Sequence, residues 1–260
     1  MSFAQLTFAL QTIQSHISFP MGAATNEQIV LRWLHFVSGI IWIGTLYFLN
    51  LVGTPAMKKL EPQVRAKVFP QMMSRAMWWF RWSSLVTVIA GMRYYWRILA
   101  ADANNAGNPA LAWRWFAGWL LVWFVAFVLI YPFQLPHKGF LDNPWVRTIA
   151  IAAVTTAASW TALALNANLQ SSNAHLAIGI GGGMGLLMLL NSWGIVWRAQ
   201  KRLIAWTRAS VEQGTPMPAQ AERWARWAYL ASRTGFWMSF PMLFFMGAAE
   251  HYPFLSGIAN

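Results

Sequence analysis

No cysteine occurs in the chain. Disulfides, thiolate-held iron–sulfur clusters and a covalently attached c-type haem are therefore excluded, since a C-x-x-C-H site needs two thiols. Acidic residues are nearly as scarce, at seven among 260. No clustered carboxylates and no Ser-His-Asp set can be assembled from them, because most fall in loops. Charged residues of both signs make up only 10% of the chain, against about 25% in ordinary soluble domains. Period-two alternation over strand lengths is also lacking, which argues against a β-barrel. No Lys or Arg precedes Arg32, so the N-terminus lacks the basic start of a signal peptide.

What is present is apolar and aromatic. Hydrophobic residues make up 57%, with 18 Trp and 17 Phe. Several apolar runs reach the ~20 residues that a membrane-spanning helix needs. The expected fold is all-α: a polytopic membrane helix bundle of about six transmembrane helices plus an N-terminal interfacial helix. Residues 1–27 are apolar with polar interruptions and read as an interfacial or re-entrant segment. Residues 28–260 read as a single transmembrane domain. Its spans are expected at about 28–52, 77–99, 112–133, 146–166, 175–197 and 228–249. Pro55 is expected to close the first span. Basic loops are expected after spans one, three and five. The last runs from Arg198 to Arg226 and is broken by Gly214, Pro216 and Pro218.

Basic residues are distributed unevenly over these loops. Counting Arg81, 15 of the 19 Lys and Arg lie on the side of loops one, three and five. Only Arg32, Arg93, Arg97 and Arg114 lie on the other. The positive-inside rule puts the crowded side in the cytoplasm and both termini in the periplasm, in a bacterial inner membrane. The net charge of +12 is then mostly a topology signal and not the mark of a nucleic-acid partner. Anionic lipid headgroups at the inner face are a secondary reading.

The stretch QIVLRWLHFVSGIIWIGTLYFLNLVG (28–53) places His35 inside the first span. An ionisable group at depth in a membrane is costly and marks a functional site by default. With the expected topology, His175 opens span five and His251 closes span six on the same outer side as His35. Imidazoles on different helices are what a b-type haem between helices requires. Its propionates would meet Arg32, Arg93 and Arg97, since guanidinium pairs well with carboxylate. His35 and His251 are the candidate iron ligands. Interfacial anchoring and helix packing are the competing readings of the same residues. Zinc is less favoured, because only Glu250 beside His251 lies at ligand spacing. The run IGIGGGMG (178–185) has no following Lys-Ser/Thr and reads as a close helix contact, with a flat porphyrin face as a further option.

Four segments resemble the membrane domain of the bacterial membrane-bound urate oxidase (urate hydroxylase) family. They are RWLHFVSGIIWIGTLYFLNLVGTPAM (32–57), WWFRWSSLVTVIAG (78–91), GGGMGLLMLLNSWGIVWRAQKRL (181–203) and FPMLFFMGAAEHYP (240–253). Within them, His35 and His251 match the family pattern. Family members typically attach a c-type cytochrome on the periplasmic side, which this cysteine-free chain lacks. Where the family has a His-Asn-Thr-Tyr-like stretch after an Arg, Arg233 is followed here by apolar TGFWMS (234–239). His35 with Trp42 and Tyr47 is also loosely similar to haem-binding membrane protoporphyrinogen oxidases. The resemblance implies a redox-type subunit that passes electrons to a separate c-type cytochrome or respiratory complex. It also leaves open a non-catalytic accessory subunit of a larger membrane complex, and a urate-oxidising enzyme using an external cytochrome. Transport is a weaker option, since no inverted repeat is visible.

Overall fold

The computed structural model describes residues 3–7, 20–137, 139–167 and 171–255. Among these residues there is no strand, and six long helices carry the fold. They are α1 (Ala23–Lys59), α2 (Pro62–Asn105), α3 (Leu111–Gln134), α4 (Pro144–Asn166), α5 (Asn173–Gln213) and α6 (Ala221–His251). Four of them, α1, α3, α4 and α5, are long and apolar enough to cross a membrane. Most of the N-terminal segment, with His16, lies outside the described residues. Of the part described, residues 3–7 are helical and α1 begins at Ala23.

The helices run further than the sequence pattern suggests. Pro55 does not end α1, which continues to Lys59. A π-helical turn at Phe48–Gly53 precedes the proline. Its wider i→i+5 bonding absorbs the hydrogen bond that a proline nitrogen cannot make. The chain breaks instead at Leu60 and Glu61, both extended, as the residue before Pro62 must be. The basic stretch 65–75, expected as a loop, is helical and belongs to α2, with Pro70 inside it. At 44 residues α2 spans ~66 Å, about twice the ~30 Å hydrocarbon core of a bilayer. Its basic first third continues the bundle at one end, lining a cavity with the C-terminal part of α5 and the start of α6. The basic segment after residue 198 is likewise a continuation of α5, beyond a second π-turn at Ser192–Val196. It stops at Gly214, whose φ of 66° provides the left-handed cap that favours glycine.

Side-chain caps set the starts of α4 and α5. Asn143 accepts from the Trp145 N–H and Pro144 takes the first helical position of α4. Ser172 accepts from the His175 N–H at the start of α5.

α5 is the helix that the others surround. In its most apolar stretch 72% of residues are buried, against 17–28% in α1, α3 and α4. Its glycines allow this. A β-carbon on Gly179 would lie 2.9 Å from the Tyr95 hydroxyl of α2. One on Gly181 would lie 3.1 Å from the Met242 carbonyl of α6. One on Gly183 would fall inside the indole of Trp123 on α3, a side chain with no exposure. The glycine run is thus a helix-contact surface, and what fills it is aromatic side chains and the α6 backbone. The outward faces keep large apolar residues such as Trp33, Ile40, Leu121 and Trp160 exposed. That is the pattern of helices facing lipid.

Gly183→Ala is expected to destabilise the fold by about 1–3 kcal/mol, the usual cost of overpacking. Gly185→Ala, with nothing within 4 Å of the added carbon, is expected to be neutral or to stabilise by up to about 1 kcal/mol through helix propensity. Thermal unfolding of both variants in the same detergent checks the pair.

Candidate functional site

The first predicted site residue, His35, sits on α1 against α2. Its Nδ1–H donates to the Thr87 carbonyl at 2.8 Å. The ring edge lies on Gly91, where a β-carbon would come within 2.9 Å of Nδ1 and Cε1. Thr87 and Ser38 join the same two helices through a hydroxyl–hydroxyl bond of 2.9 Å. With Nδ1 donating, the neutral imidazole presents Nε2 as a lone pair. A ligating histidine carries this arrangement, its second nitrogen fixed by a carbonyl or carboxylate.

One turn before His35, Arg32 pairs with Glu250 at 3.1 Å. The Tyr94 hydroxyl donates to the same carboxylate at 2.9 Å. His251, next to Glu250, is the last residue of α6 and is exposed. α1, α2 and α6 therefore meet at one corner that holds Arg32, His35, Gly91, Tyr94, Glu250 and His251. Arg93 and Arg97 lie beside this corner and both reach Glu27. Arg93 makes bonds of 2.6 and 2.7 Å, and Arg97 approaches to 3.8 Å. The three arginines expected to await a propionate thus already have carboxylate partners within the chain.

His175 is in a different place. Its imidazole is fully buried, between Trp115 and Tyr95 at ring-centroid distances of 5.0 and 6.1 Å. Nδ1–H donates to Asp102 at 3.1 Å. The same Asp102 oxygen accepts from the Ser172 N–H and hydroxyl, both at 2.9 Å. His175 Nε2 has no protein partner. Asp102 lies 11 residues beyond Gly91 on α2, or ~17 Å along the axis at 1.5 Å per residue. His35 and His175 are therefore at different depths and cannot share one metal. Among the described residues no group of three or more His, Asp and Glu is placed to hold a metal ion.

The α1–α2–α6 corner brings together groups of the kind a b-type haem uses. It combines one imidazole oriented through Nδ1 and a second histidine at the helix end, while the space over Gly91 is filled by the His35 ring itself. The Asp102–His175–Ser172 set fits a structural tie, since every group in it except Nε2 is satisfied internally. Asp102 lies in a segment that reads as turn chemistry, and no local signal links it to a histidine 73 positions away. Glu27 and Thr87 were equally invisible, because their partners come from other helices.

At the opposite end of the bundle, Asp142 links the short α3–α4 connection to two arginines. Arg147 approaches to 2.7 Å and Arg226 to 3.1 Å. The Arg226 hydrogen bond, with the charges of Arg226 and Arg147, holds the Asp142 carboxyl below its usual range. Arg147 also donates to the Leu141 and Leu135 carbonyls, so it pins the connection in place.

Three outcomes follow. Asp102→Leu strands the buried His175 imidazole and the Ser172 N–H, and is expected to cost about 3 kcal/mol or more. Glu27→Gln, at an exposed pair, is expected to cost under about 1 kcal/mol. Unfolding in detergent compares the two. The depressed Asp142 carboxyl contributes stability above the unfolded-state value of about 3.9. That contribution fades as pH falls through the lower folded value. Asp142→Asn should remove this acid-side loss, read as a flatter melting temperature between pH 5 and 3. Compared with family models, characterised proteins and solved structures, the chain matches none.

Proposed function

We propose that the protein is a multi-pass subunit of redox type in a bacterial inner membrane. It has six spans and periplasmic termini, and carries haem b at the α1–α2–α6 corner. The observation that carries this reading is the His35 imidazole, whose Nδ1–H is fixed by the Thr87 carbonyl with Nε2 left as the ligand atom. The likeness of segments 32–57 and 240–253 to the urate oxidase membrane domain supports it, because His35 and His251 fall on matching positions.

When bound, haem supplies one-electron transfer. The chain's own part is positional. Thr87 sets the ring orientation of His35, and Gly91 keeps the ring edge free of a β-carbon. The Arg32–Glu250–Tyr94 set ties the three helices of the corner together. A separate c-type cytochrome or respiratory complex on the periplasmic side would be the electron acceptor.

A non-catalytic accessory subunit is the second reading. It is favoured by the internal neutralisation of Arg32, Arg93 and Arg97. Urate oxidation through an external cytochrome ranks behind both. In the stretch 234–239, Phe236 and Met238 are buried and Ser239 takes a 2.9 Å bond from Tyr47, so these residues are used in packing.

The purified protein, expressed with haem precursor supplied, is expected to show a Soret band. His35→Ala should abolish or shift it. Gly91→Ala, which pushes on the ring without removing it, should shift the band while retaining haem. A colourless preparation with an unchanged fold would overturn the redox reading. A single large species on native electrophoresis in that same preparation would favour the accessory one.

A further inference from the structure

A cavity of about 570 Å³ opens at the basic end of the bundle, between α1, α2, α5 and α6. It lies away from the histidine corner and takes no part in the redox reading. Its size falls within the 300–1,000 Å³ range of small-molecule sites. Its lining is graded. The floor is buried and apolar, with Leu46, Met73, Met77 and Phe80 at 2–6% exposure. Met57 and Met72 extend the wall, and thioether side chains adapt to flexible ligands. The rim is charged and exposed, with Lys58 and Arg65 against the single carboxylate of Glu222.

Three further observations mark the cavity as a built site. First, among the described residues neither rim cation is in an ion pair, so both are available to an anion. Lys58 instead sits 5.7 Å over the Tyr229 ring at the mouth. Second, polar groups are set between rim and floor. Asn50 donates to Ser232 at 2.9 Å, and the buried Gln200 Oε1 has no protein partner. Third, both π-turns of the described chain supply the wall. Leu49, Asn50 and Gly53 come from the first and Val196 from the second. Such turns are uncommon and recur at functional sites.

We propose that this cavity binds one anionic amphiphile, an acyl chain carrying a phosphate or carboxylate head. The apolar floor takes the chain. Lys58 and Arg65 take the head at the rim, and Asn50, Ser232 and Gln200 meet the linker between them. A charged rim over an apolar floor matches that class of molecule and not a small hydrophilic anion. The ligand comes either from the membrane, as an anionic phospholipid, or from solution, as a free fatty acid.

The test uses the full-length protein, delipidated in a mild detergent, with binding followed by native mass spectrometry. Separate arms contain a phosphatidylglycerol, a phosphatidylcholine of the same chains, oleate and glycerol phosphate. Saturable binding of one phosphatidylglycerol or one oleate is expected, at least tenfold tighter than phosphatidylcholine or glycerol phosphate. Which of the two binds tells the membrane source from the soluble one. The double variant Lys58→Gln/Arg65→Gln should weaken binding about thirtyfold, as expected for two cations near an anionic head. Ala225→Trp, at an exposed lining position, should block binding without touching a charge. It keeps the test intact if the double variant fails to fold. Equal binding of phosphatidylcholine, an unsaturable ladder of adducts, equal binding of glycerol phosphate, or binding indifferent to Ala225→Trp would each overturn the proposal. None of these outcomes bears on whether the protein carries haem.

Discussion

The fold depends on how closely other side chains approach the backbone of α5. With lipid on the outside, burying apolar surface gives little reason for helices to associate, and packing contact has to do it. The Gly183 position meets that need directly, because Trp123 occupies the volume a side chain would take. Tyr95 at Gly179 and the α6 backbone at Gly181 repeat the device on two other sides. α5 is thereby enclosed, and α1, α3 and α4 are left with one face each for lipid. The enclosed helix then delivers His175 to Asp102 at one end and Gln200 to the cavity wall at the other.

Charge obeys a second constraint. An ion is costly within hydrocarbon, so the ionic side chains gather towards the ends of the bundle. The two ends treat them differently. Around the His35 corner, Glu27 and Glu250 neutralise Arg93, Arg97 and Arg32, and the ion pairs tie α1, α2 and α6 together. At the basic end, Asp142 serves Arg147 and Arg226, while Lys58 and Arg65 stand at the rim of an apolar-floored cavity with no carboxylate partner among the described residues. The carboxylates of one end thus meet the arginines of the histidine corner, and the cavity rim at the other keeps its cations available. That difference is why we assign the two ends different roles.

The helical class, the placing of His35 on a long apolar helix and the contact role of the glycine run were legible in the sequence, because each rests on local composition or period. The extent of the helices was not. Pro55 reads as a stop, and only the π-turn before it lets α1 continue; the basic stretch at 65–75 reads as a loop because a helix rarely extends so far beyond a bilayer. The pairings were also hidden. Asp102 with His175, Glu27 with Arg93 and Glu250 with Arg32 join residues on different helices, and periodicity carries no information about which helices touch. The cavity needed four helices and two π-turns to be placed before it existed at all.

Everything assigned to the two ends rests on which end faces which compartment. The absence of native cysteine makes this directly measurable. Single cysteines at Lys59, Asn108, Phe140 and Gly214 can be labelled with a membrane-impermeant maleimide in intact and in permeabilised cells. The account predicts that Asn108→Cys reacts in intact cells, and that the other three react only after the inner membrane is opened. Labelling of Lys59→Cys or Gly214→Cys from outside in intact cells, with Asn108→Cys protected, would place the histidine corner in the cytoplasm and contradict it.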